Sequence, residues 1–182
     1  MDRFEPLRRR TIALVGLMGA GKSSVGRRLA NALGLPFRDA DTEVETAAGR
    51  SISEIFADLG EAAFRDGERR VIARLLEGPP HVLATGGGAF MSSETRTLIK
   101  THALSVWLKT DLEVLARRVG RKESRPLLAG KDTMDVLRAQ AEVRYPTYAE
   151  ADITVETGDS AHLITVSQVI DALAAHLGEP AE

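Results

Sequence analysis

The sequence contains no cysteine, which excludes a disulfide framework and any thiolate metal site. Its four histidines are scattered, which argues against a histidine metal centre. No apolar run approaches the roughly 20 residues that span a bilayer. The first ten residues, MDRFEPLRRR, lack the apolar stretch of a secretory signal. A cytoplasmic protein with no membrane partner is therefore expected, with residues 1–10 a short frayed, flexible arm without chemistry. Charge of one sign is also missing: the net value is -2, too balanced for a general nucleic-acid binder. Two nucleotide-site features are absent as well. No N-K-x-D stretch supports guanine recognition, and no apolar strand ends in the Asp that commonly holds a nucleotide's metal.

What is present reads as one α/β domain over residues 11–178. The 182 residues, 43% hydrophobic and 27% charged, are enough for a single packed core. Nearly all-apolar runs at residues 12–15, 82–84, 103–108 and 153–155 suit strands buried on both faces. Leu35-Pro36-Phe37 is a weaker strand signal, because proline favours a strand start or an edge. Between these runs lie helical patterns over residues 22–33, 61–76 and 132 to about 145. A last helix, capped by Ser160, would carry a core stripe of Leu163, Val166, Val169, Ile170, Leu173 and Leu177. Alternating strands and helices imply a parallel sheet covered on both faces.

Chemistry concentrates first at residues 16–23, GLMGAGKS. They match G-x-x-x-x-G-K-[ST], follow an apolar strand and open an amphipathic helix, the context that the motif requires. Glycines let backbone N–H groups close around a phosphate, and the helix N-terminus adds partial positive charge. Gly19, Ala20, Gly21, Lys22, Ser23 and Ser24 are the expected ATP-binding residues, with Lys22 reaching the β- and γ-phosphates and Ser23 ligating Mg²⁺.

An acceptor site is expected elsewhere. In extended chain, Asp39 and Asp41 would project to one side at the carboxyl end of a strand, with Asp39 helping to hold Mg²⁺ and Asp41 accepting from a hydroxyl. The same residues would also suit a turn ahead of a helix. Gly86-Gly87-Gly88 follow a buried strand and let backbone approach a ligand closely. Arg65 and Arg144 have the chemistry to grip a carboxylate, although singly each could be a surface arginine. Arg117, Arg118, Arg121, Lys122 and Arg125 crowd one stretch, and residues 120–131 lack apolar periodicity, as a functional loop would.

Taken in order, these segments resemble the shikimate kinase family over residues 11–177. The resemblance rests on GLMGAGKSS with Gly26 and Arg27, FRDADTEVE from Phe37 to Glu45, and Gly49-Arg50-Ser51-Ile52 with Gly60-Glu61 and Phe64-Arg65. It extends to the glycine triplet, Arg125-Pro126-Leu127-Leu128, and Arg144 followed by Pro146 and Tyr148. It implies a three-layer P-loop fold of the nucleoside-monophosphate-kinase type, with a five-stranded parallel sheet. A substrate-binding region would fall at about residues 39–70 and a mobile lid at about 120–132. The implied reaction transfers phosphate from ATP, with Mg²⁺, to the 3-hydroxyl of shikimate in aromatic amino-acid biosynthesis.

The resemblance also implies roles. Lys22, Asp41 and Arg125 would be catalytic, with Arg125 swinging in on the lid. Asp41, Arg65, Gly86, Gly87, Gly88 and Arg144 would hold shikimate. Ser23 and Asp39 would serve the metal, and Arg118 and Arg125 the nucleotide. A monomer is expected, with no nucleic-acid partner. The loop 157–161, TGDSA, departs from members that carry an adenine-stacking arginine there, so no adenine residue is assigned in it. A gluconate or nucleotide kinase of the same fold, and a nucleotide-binding module without activity, remain the alternatives.

Overall fold

The computed structural model describes residues 4–120 and 132–178. Five strands form one parallel sheet: β1 (Thr11–Val15), β2 (Phe37–Asp39), β3 (Val82–Ala84), β4 (Ala103–Thr110) and β5 (Ile153–Thr157), in the order β2-β3-β1-β4-β5. Every residue of β1 and β3 is buried, as the all-apolar runs require of strands covered on both faces. Edge strand β5 instead alternates buried and exposed. The register aligns Asp39 with Ala84 and Ala84 with Leu14. The ends of β2, β3 and β1 therefore deliver their following loops to one rim of the sheet.

Helices α1 (Lys22–Leu33), α2 (Ala40–Ala48), α3 (Ile52–Leu76), α4 (Ser93–His102), α5 (Leu112–Gly120), α6 (Thr133–Tyr148) and α7 (His162–Gly178) pack around the sheet. The main core gathers Ile12, Leu14, Leu29, Leu83, Phe90, Val106 and Leu173. A smaller separate cluster of Val44, Ile55, Phe64 and Val71 joins α2 to α3. Among the described residues no helix is long and apolar enough to cross a membrane.

Several elements differ from expectation. Strand β2 lies at residues 37–39 rather than 35–37. Helix α3 starts at Ile52, nine residues before the expected start, under a reciprocal capping box between Ser51 and Glu54. It bends at Gly60, whose φ of 84° and ψ of 172° break the helix. The pattern at residues 61–76 is its second half.

Helix α7 begins at His162, so Ser160 is not its cap; the Ala161 carbonyl accepts from the N–H of Ile164 and Thr165 instead. Of its expected core stripe, Val166, Val169 and Leu173 are buried, whereas Leu163 is 71% exposed and Leu177 is 36% exposed. The helical turn carries Leu163 around to the solvent side. The N-terminal arm, expected to be frayed, is seated from residue 4 onward. Leu7 is 1% exposed, and Arg8 Nε donates to the Leu33 carbonyl at 2.6 Å, satisfying an open acceptor at the end of α1.

Candidate active site

The loop between β1 and α1 forms one wall of a cavity of about 680 Å³. Gly21 caps α1 at φ 89°, a left-handed conformation that a side chain would strain. Gly19, Gly21, Lys22, Ser23 and Ser24 line the cavity. Ala20 lies buried behind them, and its N–H donates to the Leu17 carbonyl at 3.2 Å. Lys22 Nζ donates to the carbonyls of Gly16, at 2.6 Å, and Leu17, at 3.0 Å. The ammonium is thus folded over the loop in which a phosphate would sit.

Asp39 and Asp41 are not neighbours along one extended segment. Asp39 ends β2 and caps α2, with its Oδ1 accepting from the N–H of Asp41 at 3.0 Å and of Thr42 at 3.2 Å. Asp41 stands in the first turn of α2, where a carboxylate complements the helix dipole. Both still face the cavity, because the cap turns the chain at its rim. The other oxygen of Asp39, Oδ2, accepts from Ser23 Oγ at 2.6 Å. A hydroxyl and a carboxylate in contact beside a phosphate loop suit Mg²⁺, which takes few protein ligands and fills its octahedron with phosphate oxygens and water. Among the described residues no cluster of three or more His, Cys, Asp or Glu could hold a metal by itself. A metal here would be shared with the nucleotide.

The glycine triplet joins the acceptor residues to this loop. A Cβ placed on Gly86 would lie 3.0 Å from Asp41 Oδ1 and 3.0 Å from Glu68 Oε2. On Gly87 it would lie 3.2 Å from the Arg144 guanidinium and 3.7 Å from the Met18 nitrogen. On Gly88 it would fall 2.7 Å from Arg65 Cζ, so the guanidinium would have to move aside. Each glycine therefore makes room for a different charged group. Arg144 donates to the Gly87 carbonyl at 3.1 Å, and the fully buried Tyr148 hydroxyl donates to the same oxygen. Asp41, Arg65 and Arg144, 24 to 103 residues apart along the chain, thus converge on one rim beside the phosphate loop.

Sequence reasoning missed Glu68. It is 2% exposed. Its Oε1 accepts from Arg65 at 2.9 Å, while its Oε2 has no partner. Burial raises the Glu68 pKa; Arg65 opposes this, and the charge of Asp41 adds to it. Asp41 is raised in the same way, by burial first and then by Asp39, against Lys22 and Arg65. Two carboxyls with raised affinity for protons thus meet beside Gly86, with Arg144 and Arg65 at the next two glycines. The spacing Arg65-x-x-Glu68, one helical turn, was the available signal.

Arg118 also lines the cavity and donates to the carbonyls of Gly19 at 3.2 Å and Gly158 at 3.3 Å. His162, also missed, lines it too. Its ring lies 3.5 Å from where a Gly21 Cβ would be. Burial lowers the His162 pKa, and Arg118 and Arg28 lower it further, so the ring is neutral at pH 7. Only its place in the fold reveals it, since a lone histidine after a loop carries no signal. Arg125, with the rest of the expected lid from residue 121 to 131, lies outside the described residues.

The family model for shikimate kinase matches residues 18–174. The chain is 70% identical over 172 residues to a shikimate kinase of Caulobacter vibrioides, covering 94% of this chain and 86% of that protein. Its fold superimposes on a shikimate kinase from Acinetobacter baumannii in complex with shikimate, with a TM-score of 0.90, 35% identity, and coverage of 97% and 99%. A gluconokinase from Sinorhizobium meliloti shares the fold at a TM-score of 0.58 and 20% identity, over 92% of this chain and 93% of that one.

Proposed function

The chain belongs to the shikimate kinase family, and from that premise we propose that it moves the γ-phosphoryl group of ATP to the 3-hydroxyl of shikimate through the groups gathered at the glycine triplet. It phosphorylates shikimate at the expense of ATP. The convergence of Asp41, Arg65 and Arg144 on Gly86, Gly87 and Gly88 carries the assignment of roles. Two arginines and a carboxylate beside the phosphate loop suit an acid that carries a hydroxyl.

In this reading the backbone N–H groups of residues 19–24 hold the phosphates. Lys22 exchanges its two loop carbonyls for the β- and γ-phosphate oxygens. Ser23 and Asp39 would hold Mg²⁺, which would neutralise phosphate charge. Arg65 and Arg144 grip the shikimate carboxylate, which fixes the ring. Asp41 accepts a hydrogen bond from the reacting hydroxyl and aims its oxygen at the γ-phosphorus. The new P–O bond forms as the bond to the ADP oxygen breaks, and the hydroxyl proton passes to Asp41 and then to water. Phosphoryl transfer of this kind depends on positioning and electrostatics, and the raised proton affinity of Asp41 suits it to take the proton.

Glu68 is a positioning residue. Through Oε1 it holds Arg65 toward the site. His162 and Arg118 flank the nucleoside, because a triphosphate with its γ end toward Asp41 must direct its base to their end of the cavity. Arg125 is assigned to the transferring phosphoryl group on the sequence resemblance. A monomer in the cytoplasm completes the proposal, and gel filtration of the purified chain reads the first part.

The deciding experiment is ADP release measured with shikimate, gluconate and nucleoside monophosphates as acceptors. Turnover with shikimate alone is expected, and phosphorus NMR of the product locates the ester. Equal turnover with gluconate would overturn the carboxylate-and-hydroxyl geometry proposed for the arginines and Asp41.

A further inference from the structure

A second cavity, of about 590 Å³, opens between α2 and α3. It does not share a lining residue with the phosphate cavity. Its floor is apolar, formed by Val44, Ile55, Leu59 and Phe64, and Arg50, Arg70 and Arg74 surround it. No lining side chain is acidic. Leu59 is 59% exposed, so part of the apolar lining is open to solvent. The volume falls within the range of pockets that bury a small molecule. An apolar floor with cations around it selects a ring that carries a negative charge.

The three arginines have acidic neighbours outside the cavity: Arg50 pairs with Asp58, Arg70 with Asp66 at 2.9 Å, and Arg74 with Glu43 at 3.8 Å. The Arg70 and Arg74 side chains are 73% and 61% exposed. Exposed pairs of this kind hold their geometry weakly, so the guanidinium groups are able to turn to an anion in the cavity.

The cavity also touches the machinery of the acceptor site. Along α3, residues 63, 67, 70 and 74 face the cavity, whereas Arg65 and Glu68 lie on the far side of the helix, with Phe64 between the two faces. The Phe64 ring is shared between them. It lines the cavity, and the Arg65 guanidinium carbon lies 5.1 Å from its centroid. An occupant that shifts Phe64 shifts the surface on which Arg65 rests. The break at Gly60 separates the two halves of α3, and both halves line the cavity.

We propose that the α2–α3 cavity is a second ligand site for a small amphipathic carboxylate, a ring with one anionic group, and that its occupancy alters shikimate affinity through Phe64 and Arg65. The probe is 8-anilinonaphthalene-1-sulfonate, an aromatic anion, titrated by fluorescence into the full chain with ADP and Mg²⁺ saturating. Shikimate affinity is then measured by calorimetry with and without the dye. One dye site per chain that ADP does not displace is expected, with shikimate affinity changed by about fivefold or more. The combined substitutions Arg70→Ala and Arg74→Ala, both on exposed side chains, should weaken dye binding by about tenfold or more. Ala47→Trp, which fills the cavity, should abolish it, with circular dichroism confirming the fold.

Displacement of the dye by ADP, dye binding by the arginine variant equal to that of the parent chain, or shikimate affinity indifferent to the dye would each overturn the proposal. The dye titration needs no turnover, so its outcome is separate from that of the acceptor assay.

Discussion

The two halves of the site are built on opposite plans. The nucleotide half is nearly contiguous: Gly19 and residues 21–24 line it from a single strand–loop–helix turn, and such a loop binds phosphate mostly through backbone N–H. Its polar side chains already have partners, Lys22 on two carbonyls and Ser23 on Asp39. The acceptor half draws Asp41, Arg65, Glu68, Gly86, Gly87, Gly88 and Arg144 from α2, α3, the loop after β3, and α6. Its charge is not fully matched, for Glu68 Oε2 is buried without a partner and both carboxyls are raised by burial. Such a loop tolerates an empty state, since the Lys22 and Ser23 side chains have partners beside it. A site made of converging charges remains costly until a ligand of the right charge pattern enters, and that cost is a source of specificity.

The sharpest way to break this contrast is Asp41→Asn. It keeps the shape and the N-terminal turn of α2 but removes the proton acceptor. A fall in kcat of about 10²- to 10⁴-fold is expected, the usual worth of a positioned base, with ATP affinity near that of the parent. Near-normal turnover in a steady-state assay would remove Asp41 from the chemistry. Next in size is Arg144→Lys, which keeps the charge and loses the planar fork. The charge-assisted bond contributes about 1.5–3 kcal/mol, so KM for shikimate should rise about 10- to 150-fold while KM for ATP stays unchanged. A parallel rise in both would show that the two halves are not separable.

His162→Ala probes the nucleotide half. Loss of ring stacking at the low end of about 1 kcal/mol raises KM for ATP about fivefold and leaves shikimate affinity unchanged. Because the His162 pKa is lowered, the ring stays neutral as pH falls from 8 toward 7, and KM for ATP should be flat over that range. A steep change there would contradict a neutral ring.

The smallest expected effect has the most informative sign. The Glu68 pKa is raised in the folded chain, so its contribution to stability is full below the unfolded pKa. It declines as pH rises through the folded pKa. Glu68→Gln removes the buried charge and should leave Tm at pH 7 unchanged or raise it by up to about 4 °C. The gain should be greater at pH 7 than at pH 4. Shikimate KM should rise about twofold through a less firmly held Arg65. A large loss of Tm at pH 7 would mean that the Arg65 pairing outweighs burial.

Much of the fold was legible. Strands β1, β3, β4 and β5 announce themselves as apolar runs, and helix α1 has its bounds written in Lys22, Leu33 and Gly34. Helices α2 and α4 were not legible to periodicity, being nine and ten residues long with few apolar positions. The start of α3 was in plain view as Ser51-x-x-Glu54. The period-two reading of Asp39 and Asp41 brought both to the right rim for the wrong reason: Asp39 acts as a helix cap, a local competition between side chain and backbone that alternation does not capture.

By itself the sequence determined the phosphate loop, because that loop is made of neighbours and its conformation follows from glycine, lysine and the helix that they open. It also determined which residue types an acceptor would need. Only the tertiary structure decided that Glu68 stands buried beside Arg65 and Asp41, that His162 joins the cavity wall next to Gly21, and that Leu163 faces solvent. Burial and unmatched charge are properties of what surrounds a group, and the surroundings come from segments distant along the chain.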